Sequence, residues 1–101
     1  GHGGVARLTN RAEGYRIVME WDPEVFPSVL LWVSNRGRRD PPWNGRHLGL
    51  GVEPVAAPFD LGYAHAVNPK SPLRAHGVAT ATRFSPERDL ETRYRFRFES
   101  A

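Results

Sequence analysis

The chain has 101 residues, a formal net charge of +3 and no cysteine, with 40% hydrophobic and 25% charged residues. That length holds one domain at most, or a piece of one, and the composition is that of a folded protein with a modest core. Disulfides, thiolate nucleophiles and thiolate metal sites are excluded, and no apolar run approaches membrane-spanning length.

No charged-then-apolar leader opens the chain, so a cytoplasmic location is the default expectation. Residues 1–4, Gly-His-Gly-Gly, read as an appended remnant or the start of an excised fragment. The isoelectric point near 10.0 invites a nucleic-acid reading. Thirteen of the 14 basic residues are arginine, with Lys70 the one lysine, and they are interleaved with Asp and Glu. A nucleic-acid surface would instead show a basic patch joined to a recognised motif, so a small basic nucleic-acid-binding β module is a secondary alternative.

The hydrophobic period is two almost throughout, and no stretch reads as a helix. Residues 5–9 alternate as a short strand and residues 10–14 form a turn. Residues 15–21 then place Tyr15, Ile17, Met19 and Trp21 on one face and Arg16, Val18 and Glu20 on the other. Asp22-Pro23 and Phe26-Pro27 make a corner. Residues 28–34 are apolar on both faces, which predicts a central strand.

Residues 35–47 form a long loop rich in Arg, Gly, Pro and Asn around Trp43, the kind of loop that a β scaffold often uses for function. The next strand is Leu48-Gly49-Leu50-Gly51-Val52-Glu53, which Pro54 is expected to end. Leu48, Leu50 and Val52 share a face that reads as core. Gly49, Gly51 and Glu53 share the other, leaving room above the sheet beside a carboxylate. Residues 55–71 read as irregular. Two closing strands follow, residues 75–84 and 89–98, joined at Ser85-Pro86-Glu87-Arg88. In the last, Leu90, Thr92, Tyr94, Phe96 and Phe98 point inward and Arg93, Arg95 and Arg97 outward. The sum is an all-β, antiparallel β-sandwich, a single β domain or a fragment of a larger one.

Several side chains are candidates for chemistry. Glu53 sits where a carboxylate would face a sugar-sized cleft; its plain alternative is a salt-bridged strand end. Trp43, in a polar loop, would stack on the apolar face of a pyranose or plug its loop onto the sheet. Asn44 and Arg46 flank it as hydrogen-bond donors to hydroxyls. Trp32 shares its face with Leu30 and Ser34 and is a core or site aromatic. Arg36, Arg38 and Arg39 suit a phosphate or form a solvated basic turn. None of the four histidines is assigned to catalysis. His47 is the nearest, yet six residues from Glu53, about 20 Å along a fully extended chain. No histidine pair shows metal-ligand spacing with a carboxylate.

Phe26-Pro27-Ser28-Val29-Leu30-Leu31-Trp32, then Pro42-Trp43, then Leu50-Gly51-Val52-Glu53-Pro54 resembles the C-terminal part of the galactose mutarotase-like (aldose 1-epimerase-like) superfamily. There a Phe-Pro strand leading to Trp precedes a Gly-hydrophobic-Glu-Pro strand bearing the catalytic glutamate. Leu73, residues 77–84 and the alternating last strand are similar to the family's closing hairpin, although the family usually has Pro-Gly at the turn. The resemblance implies part of a β-supersandwich and a Glu53 base in the interconversion of sugar anomers. It further implies a monosaccharide or sugar phosphate as ligand, no metal or organic cofactor, and two imidazoles supplied by upstream segments absent here. A catalytically silent carbohydrate-binding β-sandwich is the first alternative. A part of a supersandwich would leave apolar faces bare, so self-association is expected.

Overall fold

Two alternating segments separated by a four-residue turn set the first sheet. The computed structural model describes residues 3–101; residues 1 and 2 of the expected remnant, His2 among them, lie outside the described residues. Strand β1 (Gly4–Asn10) pairs antiparallel with β2 (Tyr15–Trp21), and β2 pairs antiparallel with β5 (Tyr94–Ser100), giving the order β1-β2-β5. Gly4, expected in the remnant, instead opens β1 opposite Trp21. Asn10 builds the turn: its carbonyl accepts from the Gly14 N–H at 2.9 Å, and its Oδ1 accepts from the Glu13 N–H at 3.1 Å. Gly14 supplies the positive φ of 71° that a turn requires of a residue without Cβ.

The second sheet is a two-stranded antiparallel hairpin of β3 (Ser28–Asn35) and β4 (Leu48–Val55). The all-β, antiparallel class read from the sequence is therefore observed. Among the described residues the strand that reads as central, β3, has one neighbour only. Pro54 does not end β4, which runs on to Val55 with Pro54 opposite Val29. In a two-stranded sheet β4 has a free edge, and a missing donor is tolerated on such an edge.

Residues 59–75 depart from the irregular, helix-free reading. A 3-10 turn spans Phe59–Leu61, α1 spans Tyr63–Val67 and α2 spans Pro72–Ala75. Helices of five and four residues are too short to show a 3.6-residue period. Their cues are local: Pro72 in the first turn of α2, and Gly77 at φ 75° after it. There the Gly77 and Val78 N–H groups donate to Arg74 and Leu73, a Schellman-type stop.

The expected closing hairpin is absent. Residues 75–84 form no strand, and β5 pairs with β2 rather than with them. The small Ala-Thr alternation at residues 79–82 imitates a strand, but buried Thr80 is held elsewhere. Its hydroxyl donates to the Ala66 carbonyl at 2.9 Å and accepts from Arg74 Nε at 2.8 Å.

The inward–outward assignments are also corrected. Tyr94, Phe96 and Phe98 are exposed, Phe98 at 76%, and Leu90 is exposed too. Among the described residues, Val18 is the one aliphatic or aromatic side chain that is fully buried, and it lies on the opposite, charged face. Arg7 and Arg97 stand directly across from it, with Arg16 and Glu20 two positions to either side. Long polar side chains cover apolar surface with their stems while their heads stay in water. Arg97 also bridges Glu99 at 2.7 Å and Glu20 at 3.4 Å.

The hairpin sheet repeats this inversion. Leu48 and Leu50, expected in the core, are exposed, and so are Leu31 and Val33 at 61% and 71%. The two apolar faces thus look outward rather than at each other. The radius of gyration is 16.7 Å, against about 13 Å for a compact domain of this size.

Candidate functional site

The other face of the β3–β4 hairpin holds a different set of residues. The register sets Trp32 opposite Gly51, Ser34 opposite Gly49, and Leu30 opposite Glu53. Two glycines in succession on one face leave a floor without side chains, and the neighbouring groups fold over it. Glu53 Oε1 lies 2.8 Å from where a Cβ on Gly51 would be, and the Cβ of Trp32 lies 3.3 Å from the same point. The imidazole of His47 covers Gly49, with Cε1 at 3.1 Å and Nε2 at 3.4 Å from its Cβ position. The room expected beside the carboxylate is therefore bordered by Trp32, His47 and Glu53 itself.

Glu53 is exposed. Among the described residues no cation lies within ion-pair distance of its carboxylate, so it is not the salt-bridged strand end that was its plain alternative. An unpaired carboxylate beside an indole is free to accept a proton or a hydroxyl hydrogen bond from a ligand.

His47 was missed by sequence reasoning and belongs here. The estimate of about 20 Å ran along the backbone, but residues 47, 49, 51 and 53 all share one face. The glycines between them let both end side chains lean inward. The Arg36 N–H donates to the His47 carbonyl at 2.9 Å, extending the ladder by one step beyond Asn35. Nδ1 of His47 lies 2.7 Å from Ser34 Oγ, and Ser34 Oγ donates to the His47 carbonyl at 3.4 Å. Ser34 is only 7% exposed. The imidazole also stacks on Trp32, with ring centroids 5.6 Å apart and planes at 22°.

The loop at residues 35–47 is tightly bonded. The Gly45 N–H donates to Arg38 at 2.9 Å, and the Trp43 and Asn44 N–H groups both donate to the Asp40 carbonyl at 3.1 Å. This carries Arg38 over both indoles, with its guanidinium carbon 5.1 Å from the Trp32 ring and 4.8 Å from the Trp43 ring. A cation over an aromatic face is attracted by the ring quadrupole. Trp43 is thus half-buried and joined to Trp32 through Arg38. A cleft of about 390 Å³ lies alongside, lined by Gly37, Arg38, Arg39, Asp40 and Trp43.

Two named donors are not brought to the glycine floor. Asn44, at φ 51°, donates from Nδ2 to the Pro42 carbonyl at 3.3 Å within its own loop. Arg46 is exposed and, among the described residues, makes no side-chain hydrogen bond. Its backbone N–H serves the loop by donating to Trp43 at 2.9 Å. Arg38 carried no distinctive signal beyond the basic cluster at residues 36–39. Among the described residues no three His, Asp or Glu side chains converge on a common point, and no helix is long and apolar enough to cross a membrane.

Comparison with protein-family models, with curated proteins and with solved structures gives no significant match to this chain.

Proposed function

We propose that the glycine-floored face of the hairpin takes the ring of a monosaccharide, and that Glu53 is the base that interconverts its anomers. The observation that carries this is the unpaired Glu53 carboxylate lying over Gly51 beside the Trp32 indole. It agrees with the similarity of the Phe-Pro…Trp and Gly-Val-Glu-Pro runs to aldose 1-epimerases. Anomer interconversion needs a base at the anomeric hydroxyl and an acid at the ring oxygen. Taking the hydroxyl proton opens the hemiacetal, rotation about C1–C2 exposes the other carbonyl face, and reclosure returns the proton. A positioned base of this kind supplies about 10² to 10⁴-fold. The reaction draws on no metal or organic cofactor.

Trp32 presents apolar surface to the sugar ring. Arg38 and Arg39 border the adjoining cleft and would hold a phosphate were the sugar phosphorylated. The fold we infer around this site is part of a mutarotase-like supersandwich, with the remaining part, or a second copy, against the bare faces of Leu31, Val33 and Phe98. A binding-only role is the second reading, favoured by the exposure of Glu53, because base catalysis gains from a site closed to water.

The test is polarimetry of freshly dissolved α-glucose and α-galactose with the chain and with Glu53→Gln. Acceleration that disappears in the variant supports the proposal. Sugar binding without acceleration supports the binding-only reading, and neither one refutes both.

A further inference from the structure

We infer that the free edge of β5 is a pairing surface for a second copy of this chain. The two β5 strands lie antiparallel about a two-fold axis at Arg97 and join two three-stranded sheets into one. β5 ends the order β1-β2-β5. It belongs to the other sheet from the glycine floor, so the pairing does not depend on what that floor binds. Edge strands are commonly blunted by lysine, proline or a bulge. β5 has none of the three: its seven residues are Tyr-Arg-Phe-Arg-Phe-Glu-Ser, and they keep an unbroken register on β2.

The ladder on β2 fixes which backbone groups of β5 are left over. The Ala101 N–H donates to the Gly14 carbonyl at 3.0 Å, one step beyond the Tyr15–Ser100 pair. Along an antiparallel strand, residues bonded to one neighbour alternate with residues facing the other way. Arg95, Arg97 and Glu99 therefore bond back to β2. Tyr94, Phe96, Phe98 and Ser100 turn their N–H and C=O groups to the open edge.

Pairing that edge with itself about Arg97 sets Tyr94 opposite Ser100, Arg95 opposite Glu99 and Phe96 opposite Phe98, each pair occurring twice. All seven residues of the strand are used. With two bonds for each hydrogen-bonded pair, about eight new backbone bonds form. The exposed aromatic rows become one, with Phe96 of each copy beside Phe98 of the other. On the charged face, Arg95 has no ion-pair partner among the described residues, and it gains Glu99 of the second copy. The two Arg97 side chains meet at the axis. Each is already bridged to Glu99 at 2.7 Å and to Glu20 at 3.4 Å, which offsets their repulsion.

Other arrangements fit less well. A slip of one residue sets phenylalanine beside arginine on both faces. A slip of two shortens the overlap, and it either sets Arg95 against Arg97 or leaves Arg95 opposite Ala101. The far edge of the same sheet, β1, has Gly4 and Ala6 where β5 has aromatics, and its one charge, Arg7, finds no acid on a second β1. The β5 contact is isologous and closed, so edge pairing there stops at two copies.

The experiment compares the chain with Arg95→Glu, with Glu99→Arg and with an equimolar mixture of the two variants, by sedimentation and amide hydrogen exchange. Alone, each variant sets like charges opposite each other at both Arg95–Glu99 pairs. Mixed, the two restore opposite charges at both. The unaltered chain should sediment at twice 11.4 kDa or more, with slow exchange at the Phe96 and Phe98 N–H groups. Each variant should dissociate about ten- to a hundredfold more readily and exchange fast at those two positions, and the mixture should recover both mass and protection. The Arg97 N–H, bonded to β2, should stay slow throughout, which shows that the sheet is folded. Association of the unaltered chain with fast exchange at Phe96 and Phe98 assigns the contact to the bare faces and overturns the inference. That readout needs no variant, so it decides even where a substitution disturbs the sheet. A monomeric unaltered chain, variants that associate as before, or a mixture that fails to recover overturns it as well.

Discussion

Replacing Gly51 by alanine separates the position of Glu53 from its presence. A Cβ at residue 51 would stand 2.8 Å from Glu53 Oε1 and 3.3 Å from the Trp32 Cβ. Ordinary contact begins near 3.4 Å, so the carboxylate must retreat by about 0.6 Å while Trp32 gives by a tenth. The obstructing atom is the end of a flexible, exposed side chain, so the fold has little to lose. Gly51 is not at positive φ, and Gly→Ala at a compatible site stabilises by about 0.4–1 kcal/mol through the unfolded chain. Gly51→Ala should therefore melt within about 8 °C of the unaltered protein. Its catalytic cost is larger, because a misplacement of about 1 Å can cost 10²-fold; for 0.6 Å we expect a loss of roughly 10- to 100-fold. Gly49→Ala is the graded control. There the imidazole stands at 3.1 Å, the required shift is about half as large, and the loss should be several-fold. Polarimetric rates ordered Glu53→Gln, Gly51→Ala, Gly49→Ala from slowest to fastest, with normal melting for each, are the expected outcome. A Gly51→Ala protein that folds normally and retains the full rate would refute the claim that the glycine floor positions the base.

Other substitutions test the scaffold. Gly4→Ala presents the same geometry against a rigid obstacle, since its Cβ would run into the Trp21 indole, which is tied to the Phe26 carbonyl at 3.0 Å; a loss of about 1–3 kcal/mol is expected in denaturant titration. Val18→Ala removes part of a fully buried aliphatic side chain, and it should cost about 2 kcal/mol and lower the melting midpoint by roughly 10 °C. The bare faces of Leu31, Val33, Phe96 and Phe98 should make the isolated chain self-associate. Light scattering should give a mass above 11.4 kDa, and a sharp monomeric peak would contradict this.

Legibility in the sequence follows the range of the interactions concerned. Residues 15–21 were bounded correctly because period-two alternation and the Asn10–Gly14 turn are both local signals. The hairpin register was legible in part: one strand fixes which residues share a face, so Gly49, Gly51 and Glu53 were grouped before their partner was known. Which face is covered is a non-local fact. The aromatic row of Tyr94, Phe96 and Phe98 reads as inward by hydropathy, yet it is exposed, while Val18, on the charged face with Arg7 and Arg97 across from it, is buried. Residues 75–84 failed for a related reason. The alternation of Ala and Thr is common to strands and to small-residue packing, and Thr80 makes its bonds with Arg74 and Ala66. At the site, Glu53 and Trp32 were placed by alternation alone. His47 was lost by measuring along the backbone when its ring leans over Gly49 and Glu53 leans over Gly51, and Arg38 because a basic cluster reads as a phosphate site or a solvated turn, whereas its guanidinium lies over two indoles.

The bare side of the hairpin bears on what its other side can do. A two-stranded sheet is marginal in water by itself, and acid–base catalysis tolerates little displacement of its groups. Leu31 and Val33 point away from the site, but they alternate with Leu30, Trp32 and Ser34 on the same strand, so whatever covers them also fixes the strand that carries the indole and the Ser34 hydroxyl. Leu31→Lys with Val33→Lys should therefore yield a less associated protein that still folds its three-stranded sheet. Its sugar affinity and rate should be weaker, although neither position reaches the glycine floor. The Trp32–His47 stacking should loosen in step, read as faster hydrogen exchange at Arg36, whose N–H closes the hairpin onto His47 at 2.9 Å. Unchanged exchange at Arg36 alongside lost association would mean that the loop at residues 35–47 holds the site together without help from the covered face.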